Sequence, residues 1–223
     1  MGIRLWVATI ALGAFVLTFF IGGGAGVTIG SVNGVGTVEA STSLASLLGA
    51  ALIAAAYLIA LSLPPLKAES PGPAASAGRR AAAWFMDFVL SLAALSAVLA
   101  LLPLTIEAFA TGHFEWAFER PQITAIDVVV ALGVVGLAFV GMAFYWTVPV
   151  LRGAQTVGQC VVGLRVISAT EEPLSFGRVW VRGFLQPFAP VFWLAKLVFG
   201  KYWPDAIART SVVRVFDHVP AAA

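Results

Sequence analysis

With 60% apolar and 11% charged side chains over 223 residues, this chain departs far from the roughly 45–50% and about 25% of an ordinary soluble domain. It carries too little charge to cover itself in water. The formal net charge of +2 and the lack of any Lys/Arg run interleaved with aromatics argue against nucleic acid as a partner, and the single cysteine, Cys160, excludes an internal disulfide or a cysteine-based zinc site. His113 and His218 stand far apart without ligand-type neighbours, so neither a metal nor a cofactor is expected.

In chain order, residues 5–22 (LWVATIALGAFVLTFFIG) are uncharged and long enough to span, since about 20 apolar residues cross a hydrocarbon core of about 30 Å. Arg4 before them and Gly23, Gly24 and Ala25 after them also suit a signal peptide with a cleavage site, but a retained signal anchor is the expectation. Residues 23–43, rich in Gly, Ser, Thr and Val with Glu39 as their one charge, read as a loop or a short hairpin. The second span covers 44–63 and is stopped by Pro64 and Pro65. Its small residues Ala45, Gly49, Ala50, Ala54 and Ala55 would let another helix approach closely, within this chain or from a partner. A Pro/Ala/Ser linker follows and sets the expected domains: a two-span extension over 1–66, the linker over 67–78, a membrane domain over 79–216 and a tail over 217–223.

The third span, 81–102, is entered through Arg79-Arg80 and ended by Pro103. A loop over 104–122 carries Glu107, Glu115, Glu119 and Arg120. The fourth span is roughly 123–150, with Asp127 near its start as a helix-dipole partner or headgroup-level residue. Residues 152–182 are polar, and Glu171-Glu172 suits a solvated turn. A fifth apolar stretch, 183–199, contains Pro187, Pro190 and Lys196. Trp146, Trp193, Tyr202 and Trp203 suit an interfacial belt. The β-branched runs at 164–167 and 211–215 are of strand type and are expected to pair.

Counting Lys and Arg in short loops orients such a chain. With the N-terminus inside, the inner segments hold Arg4, then Lys67, Arg79 and Arg80, then Arg152, Arg165, Arg178 and Arg182, while the outer segments hold Arg120. A full fifth crossing would strand Lys201, Arg209 and Arg214 outside. The expectation is therefore an all-α polytopic membrane protein with four transmembrane helices, a re-entrant or interfacial fifth segment and a small cytoplasmic β element. It would lie in the inner cell membrane with a cytoplasmic N-terminus, and place Cys160 where a thiol reagent reaches it from the inner side.

The stretch Gly78-Arg79-Arg80-Ala81-Ala82-Ala83-Trp84-Phe85-Met86-Asp87 resembles the opening of the RDD family, named for an arginine at the start of its first helix, an aspartate within that helix and a further aspartate. Gln155-Thr156-Val157-Gly158, Gly163-Leu164-Arg165-Val166, Pro173-Leu174-Ser175-Phe176-Gly177-Arg178 and Arg182 look like its cytoplasmic segment. Asp205-Ala206-Ile207-Ala208-Arg209-Thr210-Ser211-Val212-Val213 looks like its closing motif. The resemblance covers about residues 78–216 and singles out Thr156, Gly158, Gly163, Arg165, Arg178, Arg182 and Thr210. It departs from the family pattern at Gln159, where a lysine is usual, and at Arg209, where a glycine is usual. The family has no settled activity, although ion transport has been proposed for some members.

Asp87 lies seven residues past Arg80, on the same helix face and about 10 Å into the hydrocarbon. A charge at that depth costs on the order of 2.5–3.5 kcal/mol and needs a partner. Arg79, Arg80, Asp87 and Asp205 are therefore expected to form one cluster, either a structural pin or a cation or proton site. The chain shows no nucleophile elbow and no phosphate-cradling glycine motif, because Gly22-Gly23-Gly24-Ala25-Gly26 follows a span rather than a strand. The expected function is a non-catalytic subunit of a membrane assembly, and a small cation- or proton-coupled transporter is the alternative. The partners expected are the lipid bilayer and other membrane proteins or copies of this chain.

Overall fold

A computed structural model describes residues 3–32, 35–62, 74–120, 122–170 and 174–214. Most of the expected linker (67–73), the acidic pair Glu171-Glu172, Pro173, His218 and the tail 217–223 lie outside the described residues. The chain forms two compact units, one from the described residues of 1–8, 56–88 and 143–223, the other from 9–55 and 89–142. Each unit takes residues from both sides of the boundary expected at 67–78.

Among the described residues, three helices are long and apolar enough to cross a membrane: Leu44–Ser62, Ala77–Thr111 and Ala125–Leu151, with mean hydropathies of 2.3, 2.4 and 2.4. The first forms helix α2. The second consists of α3 (Ala77–Leu99) and α4 (Leu101–Thr111), and the third is α5. Helix α1 (Ile3–Val16) runs into a π-helical turn over Leu17–Ile21. The resulting apolar stretch, Leu5–Ile21, rises about 25 Å at 1.5 Å per residue. Four helices of full length were expected; three have that length, and the first is shorter.

Pro103 does not end the third span. It sits in the first turn of α4, and the one helical bond it removes is to the Leu99 carbonyl, beside the break at Ala100. Ala100 keeps right-handed helical angles and donates to Ser96, so the helix continues to Gly112. There a left-handed φ of 76° ends it. The expected loop at 104–122 thus begins as helix.

In the unit of 9–55 and 89–142, the stretch expected as loop or hairpin is a hairpin of β1 (Gly26–Val32) and β2 (Val35–Ser41). A third antiparallel strand, β3 (Ala117–Arg120), joins β2 with Glu39 opposite Glu119; the sequence reading did not anticipate it. Gly49 on α2 lies so close to α1 that an added Cβ would meet the Thr18 hydroxyl and the Ala14 carbonyl. This glycine therefore serves packing inside the chain, while Ala54 of the same small-residue set is exposed. Asp127 caps the start of α5, accepting from the Thr124 amide at 2.9 Å and hydroxyl at 2.7 Å.

In the unit of 1–8, 56–88 and 143–223, the expected strand pair is present. β4 (Leu164–Ser168) and β5 (Thr210–Arg214) run antiparallel, with Arg165 opposite Val213. Alternation along the strands turns Leu164, Val166 and Val212 onto a core shared with Ala83, Val150 and Val179. Around this ribbon lie α6 (Val157–Val162), α7 (Phe176–Leu185), a 3-10 turn (Gln186–Phe188), α8 (Ala189–Phe199) and α9 (Trp203–Ala208). The 11 residues of α8 rise about 16 Å, roughly half a hydrocarbon core. Pro187 and Pro190 fall in the 3-10 turn and the first turn of α8, where a missing N–H costs no helical bond.

Trp146 and Tyr202 are not belt residues, being 2% and 8% exposed. Cys160 is fully buried in α6, so the thiol expected to report sidedness is shielded. Gly163 ends α6 with φ 69° and Arg209 ends α9 with φ 52°. That conformation explains why glycine is the usual residue at the latter place, because a Cβ makes left-handed backbone unfavourable. Arg209→Gly is expected to raise stability by roughly 0.5–1 kcal/mol, after the loss of unfolded-chain restriction is subtracted. A thermal melt in detergent reads this as a gain of about 2 °C.

Candidate functional site

The expected four-residue cluster resolves into two separate arrangements, both within the unit that contains the strand pair. The first is built around Asp87, which α3 carries inward and which is 1% exposed. Its Oδ1 accepts from the Tyr145 hydroxyl at 2.6 Å and from the Gly158 amide at 2.7 Å, and its Oδ2 accepts from the Thr156 hydroxyl at 2.5 Å. Thr156 is also the N-cap of α6, in a capping box completed by Gln159. Asp87 thereby supplies, from another helix, an anionic acceptor for the amides at the start of α6. Tyr145 accepts from the Val157 amide at 3.3 Å while donating to the carboxylate. No hydrogen bond or ion pair among the described residues joins Asp87 to Arg80 or Asp205.

Tyr145 is itself positioned by a consequence of Pro149. That proline lacks the amide that would bond the Tyr145 carbonyl, and the Tyr57 hydroxyl donates to this carbonyl instead, at 3.1 Å. The Tyr57 and Tyr145 rings stack at 4.8 Å. Neither tyrosine was singled out by sequence reasoning. The signal available was Pro149, which leaves a carbonyl in α5 needing a donor.

The second arrangement is centred on Asp205, in the first turn of α9. Arg80 binds its Oδ2, Arg182 donates through Nε to its Oδ1 at 3.0 Å, and the Thr210 hydroxyl lies 3.5 Å from Oδ1. Arg182 is buried at 3% exposure, so this carboxylate is what balances its charge. The Arg80 guanidinium also lies 5.1 Å from the centre of the Tyr202 ring. Burial pushes the Tyr202 hydroxyl up to about 12, so it stays protonated beside the Gln186 side-chain oxygen at 3.4 Å.

Of the other expected site residues, Arg79 leaves the cluster and reaches the Val162 carbonyl at 3.4 Å. Gly158 packs with no room for a Cβ, which would meet the Ala83 carbonyl oxygen and the Asp87 carboxyl group. Arg165 lies in β4, and Arg178 in α7. Gln159, at the place of the usual lysine, spends its side chain on the capping box, so no cation is needed for the local fold there. A cavity of about 40 Å³ lies among Arg80, Asp87, Trp146, Arg182, Gln186 and Tyr202, above the roughly 10–15 Å³ that admits water. Among the described residues no three His, Cys, Asp or Glu side chains are grouped to hold a metal.

Apolar helices of spanning length around buried, internally paired charges define a helical integral membrane protein. Residues 74–209, more than half of the chain, match the RDD family, and the chain belongs to that family. No curated protein and no solved structure gives a significant match.

Proposed function

We propose that this protein is a non-catalytic subunit of a membrane assembly, held as a multi-pass protein in the cell membrane with its N-terminus and its β4–β5 ribbon on the cytoplasmic side. The observation that carries the reading is the saturation of both central carboxylates. Asp87 accepts three hydrogen bonds from neutral donors and Asp205 binds two arginines. A site that passes cations needs acceptor oxygens free to replace hydration, and these are spent on holding helices together. The open face of α5 adds support: 11% of its most apolar stretch is buried, and Gly133 and Gly136 have nothing within 4 Å of where a Cβ would stand. Small exposed residues in a span let a partner helix come close.

The test is to purify the full chain in mild detergent, crosslink it and identify what is retained, and in parallel to measure cation and proton flux in liposomes. A defined partner or a homo-oligomer, with flux equal to empty liposomes, is expected. A monomer whose flux disappears in Asp87→Asn would establish the transporter instead. Sidedness is read with Cys160→Ala combined with Ala169→Cys, since Ala169 is exposed. Labelling by an impermeant thiol reagent is expected in inverted vesicles, and labelling of intact cells would reverse the orientation.

A further inference from the structure

An open groove of about 760 Å³ lies between the first turns of α3 and helix α8. Ala77, Gly78 and Ala81 form one wall, and Pro190, Leu194 and Leu197 form the other. Leu194 and Leu197 are 67% and 83% exposed, so the second wall is hydrocarbon facing outward. Two cations border the groove, Arg80 and Lys196, and no carboxylate lines it among the described residues. Lys196 is exposed and has no ion pair or side-chain hydrogen bond among the described residues, whereas Arg80 is already engaged with Asp205. The groove also receives the start of α3, a helix of 23 residues whose first amides have no helical acceptor and whose dipole is positive at that end.

We propose that this groove binds one anionic phospholipid, with its phosphate at Lys196, Arg80 and the start of α3, and an acyl chain along Pro190, Leu194 and Leu197. Charge complementarity selects the occupant. A zwitterionic lipid brings its own cation to a place that already holds two, and a purely apolar partner would leave Lys196 without a counter-charge. Basic pockets beside membrane helices hold acidic headgroups for the same reason. The site is independent of the subunit reading and stands whether or not the protein has partners.

Gly78 offers a useful variant, because it lines the groove and nothing lies within 4 Å of its missing Cβ; leucine there puts apolar bulk at the groove wall. The full chain in a nonionic detergent is titrated with phosphatidylglycerol or with phosphatidylcholine of the same acyl chains, and retained lipid is counted by native mass spectrometry. Melting is followed on the same samples. The wild-type chain is expected to retain the anionic lipid preferentially and to melt higher with it. Lys196→Gln should reduce that preference about five-fold, and Gly78→Leu should reduce retention of the anionic lipid, while both melt like wild type in lipid-free detergent. Equal retention of the two lipids, or full retention by both variants, would overturn the proposal. Lower melting of both variants without lipid would also overturn it, because the groove would then be filled by protein.

Discussion

Replacing Gly158 with alanine is expected to destabilise the protein by about 3 kcal/mol or more, as overpacking and a strained charged hydrogen bond act together. The added methyl would overlap the Ala83 carbonyl oxygen and stand 2.9 Å from the Asp87 carboxyl carbon. One obstacle is helix backbone and the other is a side chain held by three donors, so neither can move aside alone. Any shift of α6 that relieves the overlap lengthens the 2.7 Å bond from the Gly158 amide to Asp87. The natural control is Gly177 in α7, whose Cβ would meet nothing within 4 Å. Gly177→Ala should be neutral or stabilising by a few tenths of a kcal/mol, because alanine is the better helix former. Thermal melts of the two variants in one detergent decide the matter. A Gly158→Ala protein that melts like wild type would remove the close packing of α6 on α3 from the account.

Asp205→Ala should cost about 3–5 kcal/mol, the range for leaving a buried charge without its partner. Arg182 is the reason, because at 3% exposure it has no water to turn to. Arg80 is different. Its side chain is 21% exposed, and Asp205 keeps Arg182 when Arg80 is lost, so Arg80→Ala should cost roughly 1 kcal/mol. In a double-mutant cycle, Asp205→Ala with Arg182→Met should lose less than the sum of the two single losses, since removing the arginine removes the stranded charge. Had Arg80 and Asp87 shared one cluster, as their spacing suggests, Asp87→Asn would offset Arg80→Ala by removing the stranded carboxylate. With Asp87 held by Tyr145, Thr156 and Gly158 instead, that pair is expected to be additive. Equal losses from Arg80→Ala and Arg182→Met would contradict the ordering by burial.

Several features were legible from the residues alone because they depend on local composition. Long uncharged runs could be read as spans since a bilayer demands about 20 apolar residues in a row, and α2 and α5 begin and end within two residues of that reading. The strand pair was legible because β-branched runs state their preference locally, and the family because its motifs are short and ordered. Pro103 misled, since a proline ends a helix or merely opens its next segment according to what the surrounding turns can satisfy. Strand β3 was invisible because four residues without alternation become a strand only when β2 offers them an edge.

The partners of the charged residues were beyond any reading of spacing. Asp87 and Arg80 share a helix face, yet Asp87 is bound by residues 58, 69 and 71 positions away. Arg80 finds Asp205 across 125. Sequence alone determined that the carboxylates must have partners, because an ionised group in a low-dielectric interior is too costly without them. Only the tertiary structure decided that neutral donors serve Asp87 and arginines serve Asp205, because that choice depends on which helix ends and strands the packing brings within hydrogen-bond reach.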